Sequence, residues 1–269
     1  MPASDLTAER LRDRDLLASA VRDAGQLALR WFGGPLKSWT KGAGDSPVTE
    51  ADIASNDLLR ERLVLPGEGW LSEESENDPA RLAARRVWVV DPIDGTRAYI
   101  AGRQDWSISV ALVEDGRPVA AAVYAPVTEE MFVAVTGAGA TRNGDPIRAS
   151  AGSALEGARV AGPKRLLDRI AATGPAIVAM PRVHSLALRL VRVAHSELDA
   201  AVAGGTGHDW DLAAADLLVH EAGGKMTALN GEALIYNRPQ PVHGILVAAG
   251  RDRHPALIDL VRAGASEPA

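Results

Sequence analysis

The stretch VWVVDPIDGTRAYI, from Val87 to Ile100, decides the fold. Its first four residues are apolar, as in a buried strand, and Asp91, Asp94 and Gly95 follow at once. Two carboxylates close together at the end of a buried strand repel each other, and desolvation raises the cost unless a cation lies between them. The stretch therefore predicts a strand that delivers two acids to a site for positive charge.

The segment before this strand is mainly helical. Apolar residues recur at helical spacing from about Leu6 to Phe32, which predicts a long amphipathic helix. Thr49 is the expected N-cap of a second helix that ends near Leu63, with Asp52 at its third position. The run WLS at residues 70–72 predicts a short strand that ends in the acidic segment EESEND.

After residue 90 the pattern is that of short strands joined by tight turns. Turn sequences such as EDGR and RNGD separate apolar runs near residues 106–113, 118–124 and 131–135, which favours an antiparallel meander. Beyond residue 148, strands such as GILVAA alternate with helical stretches, as in a sheet that is covered on both faces. We therefore expect an α/β (α+β) fold with two halves, residues 1–148 and residues 149–269.

Acidic residues stand at the ends of several apolar elements, where loop residues collect into sites. They are Asp52, the pair Glu73 and Glu74, the pair Asp91 and Asp94, and Asp211. Oxygen ligands without cysteine suit a hard ion such as Mg²⁺, so the simplest interpretation is a divalent metal site. Each acid also has a structural alternative: Asp52 can be a capping-box acid, and Asp211 can simply complement a helix dipole.

The composition is that of a globular protein in water. Of the 269 residues, 46% are hydrophobic and 24% are charged, and the formal net charge is -6. This acidic balance argues against a nucleic-acid partner, and no apolar run is long enough to predict a membrane span. The chain has no cysteine and its first twenty residues carry charges throughout, which fits a cytoplasmic protein.

Three blocks of the sequence resemble the inositol monophosphatase superfamily, the Mg²⁺-dependent, lithium-sensitive phosphomonoesterases. They are KGAGDSPVTEAD (residues 41–52), LSEES with WVVDPIDGT (within residues 71–96) and WDLAAADLLVHEAGG (residues 210–224). Their order and spacing agree with the family, so the resemblance covers nearly the whole chain. It implies a layered α/β/α/β/α sandwich, a homodimer and a small-molecule phosphate ester as the substrate.

The resemblance also implies ligands for two or three Mg²⁺ ions. Glu73, Asp91 and the carbonyl group of Ile93 would bind the first ion. Asp91, Asp94 and Asp211 would bind the second, and a third, weaker ion would lie near Glu73.

A catalytic set follows from the same resemblance. Glu73 and Thr96 would activate the attacking water, Asp52 would reach the third ion through water, and the amides of Gly95 and Thr96 would hold phosphate oxygens. Haloacid-dehalogenase-type phosphatases instead attack with an aspartate in the pattern D-x-D-G-T. Here the two aspartates are three residues apart, so we exclude an aspartyl-phosphate mechanism.

The substrate is less well defined by the sequence. Where inositol-type enzymes place a hydroxyl-binding glutamate, seven residues before the metal aspartate, this chain has Gly204. LSEE and GGTGHDWD are closer to bacterial 3'(2'),5'-bisphosphate nucleotidases, so a bisphosphate nucleotide is the favoured substrate. Inositol monophosphate, histidinol phosphate and sugar phosphates are the alternatives. His208 and Arg97 are candidate substrate contacts, although His208 can equally cap its helix.

A function of another class is also open, namely a sensor that binds metal and phosphate ester without turnover. The presence of Glu73 and Thr96 speaks against it, because a sensor has no need to activate water. His184, His195 and His220 are expected on helices without acid partners in the motifs, so they are not assigned to the site.

Overall fold

The computed structural model describes residues 3–41 and 46–265. Residues 42–45, which belong to the block KGAGDSPVTEAD, lie outside the described residues. The helices are α1 (Ala3–Leu29), α2 (Glu50–Leu63), α3 (Thr96–Ile100), α4 (Lys164–Thr173), α5 (Leu186–Ala194), α6 (Asp209–Glu221) and α7 (His254–Ala265), with a 3₁₀ turn at Pro79–Ala83.

The strands form two large sheets and two small ribbons. In chain order they are β1 (Ser38–Lys41), β2 (Ser46–Thr49), β3 (Gly69–Ser72), β4 (Arg86–Asp94), β5 (Ser107–Glu114), β6 (Arg117–Ala125), β7 (Glu130–Val135), β8 (Gly139–Arg142), β9 (Asp145–Pro146), β10 (Arg159–Ala161), β11 (Val178–Ala179), β12 (Ala200–Ala203), β13 (Gly207–His208), β14 (Gly224–Ala228), β15 (Val242–His243) and β16 (Leu246–Gly250). The ribbons pair β1 with β2 and β13 with β15.

The larger sheet has seven strands in the order β3-β4-β5-β6-β7-β8-β9. From β4 onward each strand pairs antiparallel with the next one, so the predicted meander is confirmed. The strand β3 pairs parallel with β4, with Ser72 opposite Val90. This parallel pairing brings the residues that follow β3 to the same edge as the end of β4, because both strands run toward it.

The smaller sheet has the order β11-β10-β12-β16-β14 and mixes parallel and antiparallel pairs. The sequence predicted β10, β11 and β16 but not β12 or β14. The strand β12 reads AAVA, and alanine has little preference for strands, so this strand is specified by its neighbours rather than by its own composition.

The two sheets and three helix pairs stack in five layers. Side chains of α1 and α2 pack on one face of the larger sheet. Side chains of α5 and α6 fill the space between its other face and the smaller sheet, and α4 and α7 cover the outer face of the smaller sheet. The alternation along β4 shows the cause, since Trp88 and Val90 face the first core while Val87 and Val89 face the second. The predicted α/β/α/β/α sandwich is confirmed.

The boundary near residue 148 stays a prediction. The middle core combines Val89 of the larger sheet with Leu218 of α6 and Ala248 of the smaller sheet. No helix in the described ranges is both long enough and apolar enough to cross a membrane.

Candidate active site

A cavity of about 420 Å³ lies where the acidic ends of several elements meet. Its wall contains seven of the residues that the sequence singled out, namely Glu73, Asp91, Asp94, Gly95, Thr96, Arg97 and Asp211. Ser46, Pro47, Arg182 and His184 complete the lining. Residues that are far apart in the sequence are therefore brought to one place.

Three carboxylates form the centre of this site. Asp91, Asp94 and Asp211 each offer one oxygen, and these oxygens all lie within 4.8 Å of one another. Asp91 and Asp94 are buried at the end of β4, and Asp211 lies in the first turn of α6. Oxygen ligands grouped in this way suit a hard divalent cation.

A bulge in β4 explains how both strand acids reach the cavity. Asp91 pairs with Ser109 of β5 and Asp94 pairs with Ser107, so three steps on one strand match two steps on the other. Residues three apart in a regular strand point to opposite faces of the sheet. The extra residue in the bulge, within Pro92 and Ile93, allows both carboxylates to lie in the same site.

The electrostatics of the group support cation binding. Burial, and then the negative charge of Asp211, raises the pKa of Glu73 to about 8 and that of Asp94 to about 7. Burial, followed by the charge of Glu73, raises the pKa of Asp91 well above its ordinary value. Among the described residues, no lysine or arginine forms an ion pair with Asp91, Asp94 or Asp211. Lys41 acts on Glu73 and Arg189 acts on Asp94, so positive charge compensates the ionised cluster only in part, and the donor set fits Mg²⁺.

Asp94 is held by the start of α5. Its carboxylate accepts hydrogen bonds from the Ser185 hydroxyl at 2.6 Å, the Leu186 amide at 3.1 Å and the Ala187 amide at 2.6 Å. The amide groups at a helix N-terminus have no acceptor within the helix, so they favour a negative charge there. This contact has no local sign in the sequence, because the two segments are about ninety residues apart.

Asp52 has the capping role that the sequence offered as its structural alternative, and it also contacts Thr96. Its Oδ2 accepts from the Thr49 amide at 2.8 Å and the Thr49 hydroxyl at 2.5 Å, so it is the capping-box acid of α2. Its Oδ1 lies 3.2 Å from Thr96 Oγ1, which also lies 3.0 Å from the Ile93 carbonyl oxygen. Asp52 and Ile93 are not part of the cavity wall, and both contact the site through Thr96.

Gly95 connects β4 to α3 in a conformation that other residues rarely adopt. Its φ of +96° is left-handed. A Cβ at this position would lie 3.2 Å from the Ser185 amide nitrogen and 3.3 Å from the Asp105 carbonyl oxygen. A glycine is therefore needed both for the turn and for the close approach of the segment that precedes α5.

Lys41 brings one positive charge to the edge of the site. Its ammonium group donates to the Glu73 carbonyl oxygen at 2.8 Å and pairs with Glu74 at 2.5 Å. The side chain of Glu74 is only 1% exposed, so this acid is not solvated surface. Lys41 also belongs to the first of the three sequence blocks.

The structure places His184 on the wall of the cavity and His208 away from it. His208 is the N-cap residue of α6, its amide donates to Asp211 at 2.7 Å, and its ring stacks on Trp210 at 4.6 Å. Within the described chain it does not line the cavity.

The expectation that the unassigned histidines have no acid partner in the motifs is wrong for His220, whose Nδ1 lies 2.9 Å from Asp216 Oδ1 of the third sequence block. His184 was not assigned to the site from the sequence, but it lines the cavity and its Nδ1 lies 2.6 Å from Asp105. No local signal could reveal this pair, because its members are 79 residues apart.

A second cavity of about 600 Å³ adjoins the first. Its wall contains Arg189, the ion pair of Lys164 with Asp168, and apolar groups such as Leu167 and Met180. It shares Arg182 with the first cavity. Burial lowers the pKa of Arg189, whose guanidinium donates to the Val183 carbonyl oxygen. The wall thus combines the two arginines, an ion pair and apolar surface.

Comparison with known proteins agrees on the family and on the fold. The sequence model of the inositol monophosphatase family matches residues 13–265. The 3'-phosphoadenosine 5'-phosphate phosphatase of Mycobacterium leprae is 33% identical over 268 residues, which cover 94% of both chains. A Streptomyces griseus protein named glucose-1-phosphate thymidylyltransferase is 37% identical over 219 residues, 77% of this chain and 82% of that protein.

A solved structure repeats the architecture. The IMPase of Thermotoga maritima superposes with a TM-score of 0.80 at 25% identity, over 93% of this chain and 97% of that one. The relatives' names differ in substrate, whereas the family and the fold agree.

Proposed function

Because the chain belongs to the inositol monophosphatase family and is a phosphatase, we propose that it hydrolyses a small phosphate ester at the cavity of Asp91, Asp94 and Asp211. The observation that carries this proposal is the convergence of these three carboxylates, whose oxygens lie within 4.8 Å of one another. A cation bound between these like charges would relieve their mutual repulsion.

We assign the metal ligands as the family resemblance implies. Glu73, Asp91, Asp94 and Asp211 would hold two or three Mg²⁺ ions through carboxylate oxygens, and Ile93 would contribute its carbonyl oxygen. When bound, Mg²⁺ supplies charge neutralisation for the phosphate and lowers the pKa of water.

The residues of the chain position the attacking water. The Thr96 hydroxyl directs its hydrogen toward Asp52 Oδ1 and the Ile93 carbonyl oxygen, which leaves Thr96 Oγ1 free to accept a hydrogen bond from water. The Glu73 carboxylate, on the same cavity wall, receives the proton of that water. We assign the amides of Gly95 and Thr96 to the phosphate oxygens. This arrangement favours turnover over a sensor, which has no use for a held water molecule.

The second cavity supports a substrate with two anionic groups. Arg182 lies on both walls and Arg189 adds a second positive charge, whereas the charge of Lys164 is paired with Asp168 on the same wall. The apolar side chains Leu167 and Met180 suit the flat body of a nucleoside. We therefore place a 3'(2'),5'-bisphosphate nucleotide first, ahead of inositol monophosphate, histidinol phosphate and sugar phosphates, with Arg97 as a further substrate contact.

We also propose a cytoplasmic homodimer without nucleic-acid or membrane partners. The net charge of -6 supports the lack of a nucleic-acid partner, since such proteins need a basic face. Light scattering of the purified protein tests the oligomeric state directly.

The decisive experiment is phosphate release from a panel of esters. Adenosine 3',5'-bisphosphate, inositol 1-phosphate, histidinol phosphate and fructose 1,6-bisphosphate are compared with Mg²⁺, with chelator and with added lithium. We expect Mg²⁺-dependent release that lithium suppresses, fastest with the adenosine bisphosphate. Binding of these esters without release from any of them would favour the sensor.

A further inference from the structure

Asp209 is a buried acid in the first turn of α6, two residues before Asp211. It is absent from the walls of both cavities. Its Oδ2 accepts from the Asn237 amide at 2.7 Å, and its Oδ1 lies 2.7 Å from Nε2 of His243. Because an ionised carboxylate only accepts hydrogen bonds, Nε2 carries the proton. Both oxygens of this buried acid are therefore bonded, as the desolvation of a carboxylate requires.

These contacts hold the first turn of α6 against the loop that leads into β15. The Asp209 amide also donates to the Pro241 carbonyl oxygen at 3.0 Å, and His243 lies on β15, which pairs with the strand just before α6. Asp211 belongs to the same turn, and its carboxylate accepts from the His208 amide at 2.7 Å. The direction of the Asp211 side chain is therefore set by a turn that Asp209 fixes.

Asn237 extends this connection to the acidic segment that begins with Glu73. Its φ of +56° is left-handed, a conformation that asparagine adopts more readily than most residues. Its side chain accepts from the Arg81 guanidinium at 2.5 Å and donates to the Arg81 carbonyl oxygen at 3.3 Å. Arg81 Nε in turn donates at 2.8 Å to Asn77, four residues after Glu73. One asparagine thus joins the segments that carry two of the candidate metal ligands.

The charges of this connection compensate each other at a distance. Arg81 is only 2% exposed, and its guanidinium donates to neutral acceptors, the third being the Arg238 carbonyl oxygen at 3.0 Å. Burial lowers the pKa of Arg81, and the negative charge of Asp209 acts in the opposite direction. Asn237 bonds to both residues and lies between the two charges. A buried polar network whose members are bonded in this way makes its surroundings rigid.

We infer that Asp209 is the positioning residue for Asp211, and that its connection through Asn237 and Arg81 keeps Asp211 in place relative to Glu73. The inference rests on the proposed function and deepens it, because it identifies what sets the affinity of the carboxylate cluster for Mg²⁺. Asp209 acts by holding the turn, whereas Asp211 offers its oxygen to the ion.

The first test is a calorimetric titration of the metal-free protein with Mg²⁺, well below the melting temperature. Asp209→Asn is compared with Glu130→Gln as the matched control. Glu130 is also buried, accepts from Arg192 on both oxygens at 2.8 and 2.7 Å, and is absent from the walls of both cavities. Both variants should lower the melting temperature in chelator. Only Asp209→Asn should raise the Kd for Mg²⁺, by roughly tenfold, as is usual for residues that support a metal ligand.

A second pair of variants keeps the charge of Asp209 and changes only its partner. His243→Gln retains an N–H donor for the Asp209 carboxylate, and His243→Leu removes it. We expect His243→Leu to raise the Kd for Mg²⁺ roughly two- to tenfold, the effect of one hydrogen bond, and His243→Gln to remain close to the wild type. This pair also decides the matter if Asp209→Asn does not fold.

Two results would overturn the inference. An unchanged Kd in His243→Leu would mean that the loss of charge alone explains any effect of Asp209→Asn. A loss of affinity as large in His243→Gln as in His243→Leu would mean that the bond to Asp209 does not matter.

Failure of the proposed function has a different signature. If no ester of the panel releases phosphate but the Kd values for Mg²⁺ follow the expected order, hydrolysis is lost and the positioning role of Asp209 stands. If phosphate is released while the Kd values do not respond to these variants, hydrolysis stands and the positioning role is overturned. A wild type that binds no Mg²⁺ would overturn both.

Discussion

The hydroxyl group of Ser185 lies 2.6 Å from Oδ2 of Asp94, and this hydrogen bond joins the second half of the sequence to the acidic end of β4. Ser185 is also the N-cap of α5, where its side chain accepts from the Leu188 amide at 2.9 Å. The buried side chain of Ser185 thus caps α5 and also orients Asp94, a candidate metal ligand.

We expect Ser185→Ala and Ser185→Gly to separate these two roles. Both variants lose the hydrogen bond to Asp94, so both should lose a similar part of the Mg²⁺-dependent activity. Both variants also share the stability cost of that lost hydrogen bond and of the one between Ser185 and Ser107. Alanine is a poor N-cap and glycine a tolerable one, so Ser185→Ala should have a free energy of unfolding roughly 0.5–1 kcal/mol lower than that of Ser185→Gly. Urea unfolding and kcat measure the two effects, and activities that differ as much as the stabilities would contradict the separation.

Removing the charge of Asp91 should abolish turnover without harming the fold. The hydrogen bond that Asp91 accepts comes from the Ile93 amide at 3.0 Å, and an asparagine can keep it. Because Asp91→Asn relieves repulsion among buried acids, the melting temperature of the metal-free protein should stay the same or rise. Calorimetry in chelator, together with phosphate release in Mg²⁺, checks both parts.

We expect Asp94→Asn to lower the stability of the fold, unlike Asp91→Asn. The wild-type carboxylate of Asp94 accepts hydrogen bonds on both oxygens, from Leu186 on one and from Ser185 and Ala187 on the other. An asparagine side chain has only one oxygen that can accept. At least one buried donor then faces an amide NH₂ group, at a cost of about 1–3 kcal/mol. We expect Asp94→Asn to be inactive and less stable than Asp91→Asn, and the opposite order of melting temperatures would refute this interpretation.

The metal-free protein should lose stability as the pH rises from about 5 to 8. The folded state raises the pKa of Glu73 to about 8 and that of Asp94 to about 7, mainly through burial and then through the charge of Asp211. Over this range the unfolded chain has already released these protons while the folded state still binds them, so each rise in pH favours unfolding. Below the pKa values that Glu73 and Asp94 have in the unfolded chain, both states bind these protons, and the loss of stability disappears.

Mg²⁺ should reverse this trend, because it binds the ionised carboxylates of the native state. Melting curves in chelator and in several millimolar Mg²⁺, recorded at intervals between pH 5 and 8, should diverge as the pH rises. Asp91→Asn should show a smaller divergence. A Mg²⁺ effect on the melting temperature that does not depend on pH would show that these acids do not bind the ion.

Much of the fold could be predicted because it depends on local patterns. The alternation around Trp88, the turns between strands and the capping box of Thr49 and Asp52 are all specified by nearby residues. The acids at the strand ends could be predicted to meet, because buried carboxylates need a common cation. These features are recognisable in a single sequence.

The remaining features depend on pairings between distant segments. The bulge between Asp91 and Asp94 follows from register with β5, and it has no separate sign in β4 itself. The contact of His184 with Asp105 spans 79 residues, and neither residue belongs to a motif. Such contacts appear only once the layers are packed, which is why the sequence analysis left His184 out of the site.

Arg182 provides a test of the favoured substrate, because its side chain lies on the wall of both cavities. Arg182→Ala should raise KM for adenosine 3',5'-bisphosphate about tenfold, as expected for the loss of one charge-assisted hydrogen bond, and should change KM for an ester with a single phosphate much less. Arg165→Ala is the matched control, since Arg165 is an exposed arginine on α4 that lines neither cavity. The comparison is made as the ratio of KM values for the two esters, which cancels any general loss of folded protein. Equal effects of Arg182→Ala on the KM values of both esters would mean that the second cavity does not hold a second phosphate. The bisphosphate nucleotide would then no longer be the favoured substrate.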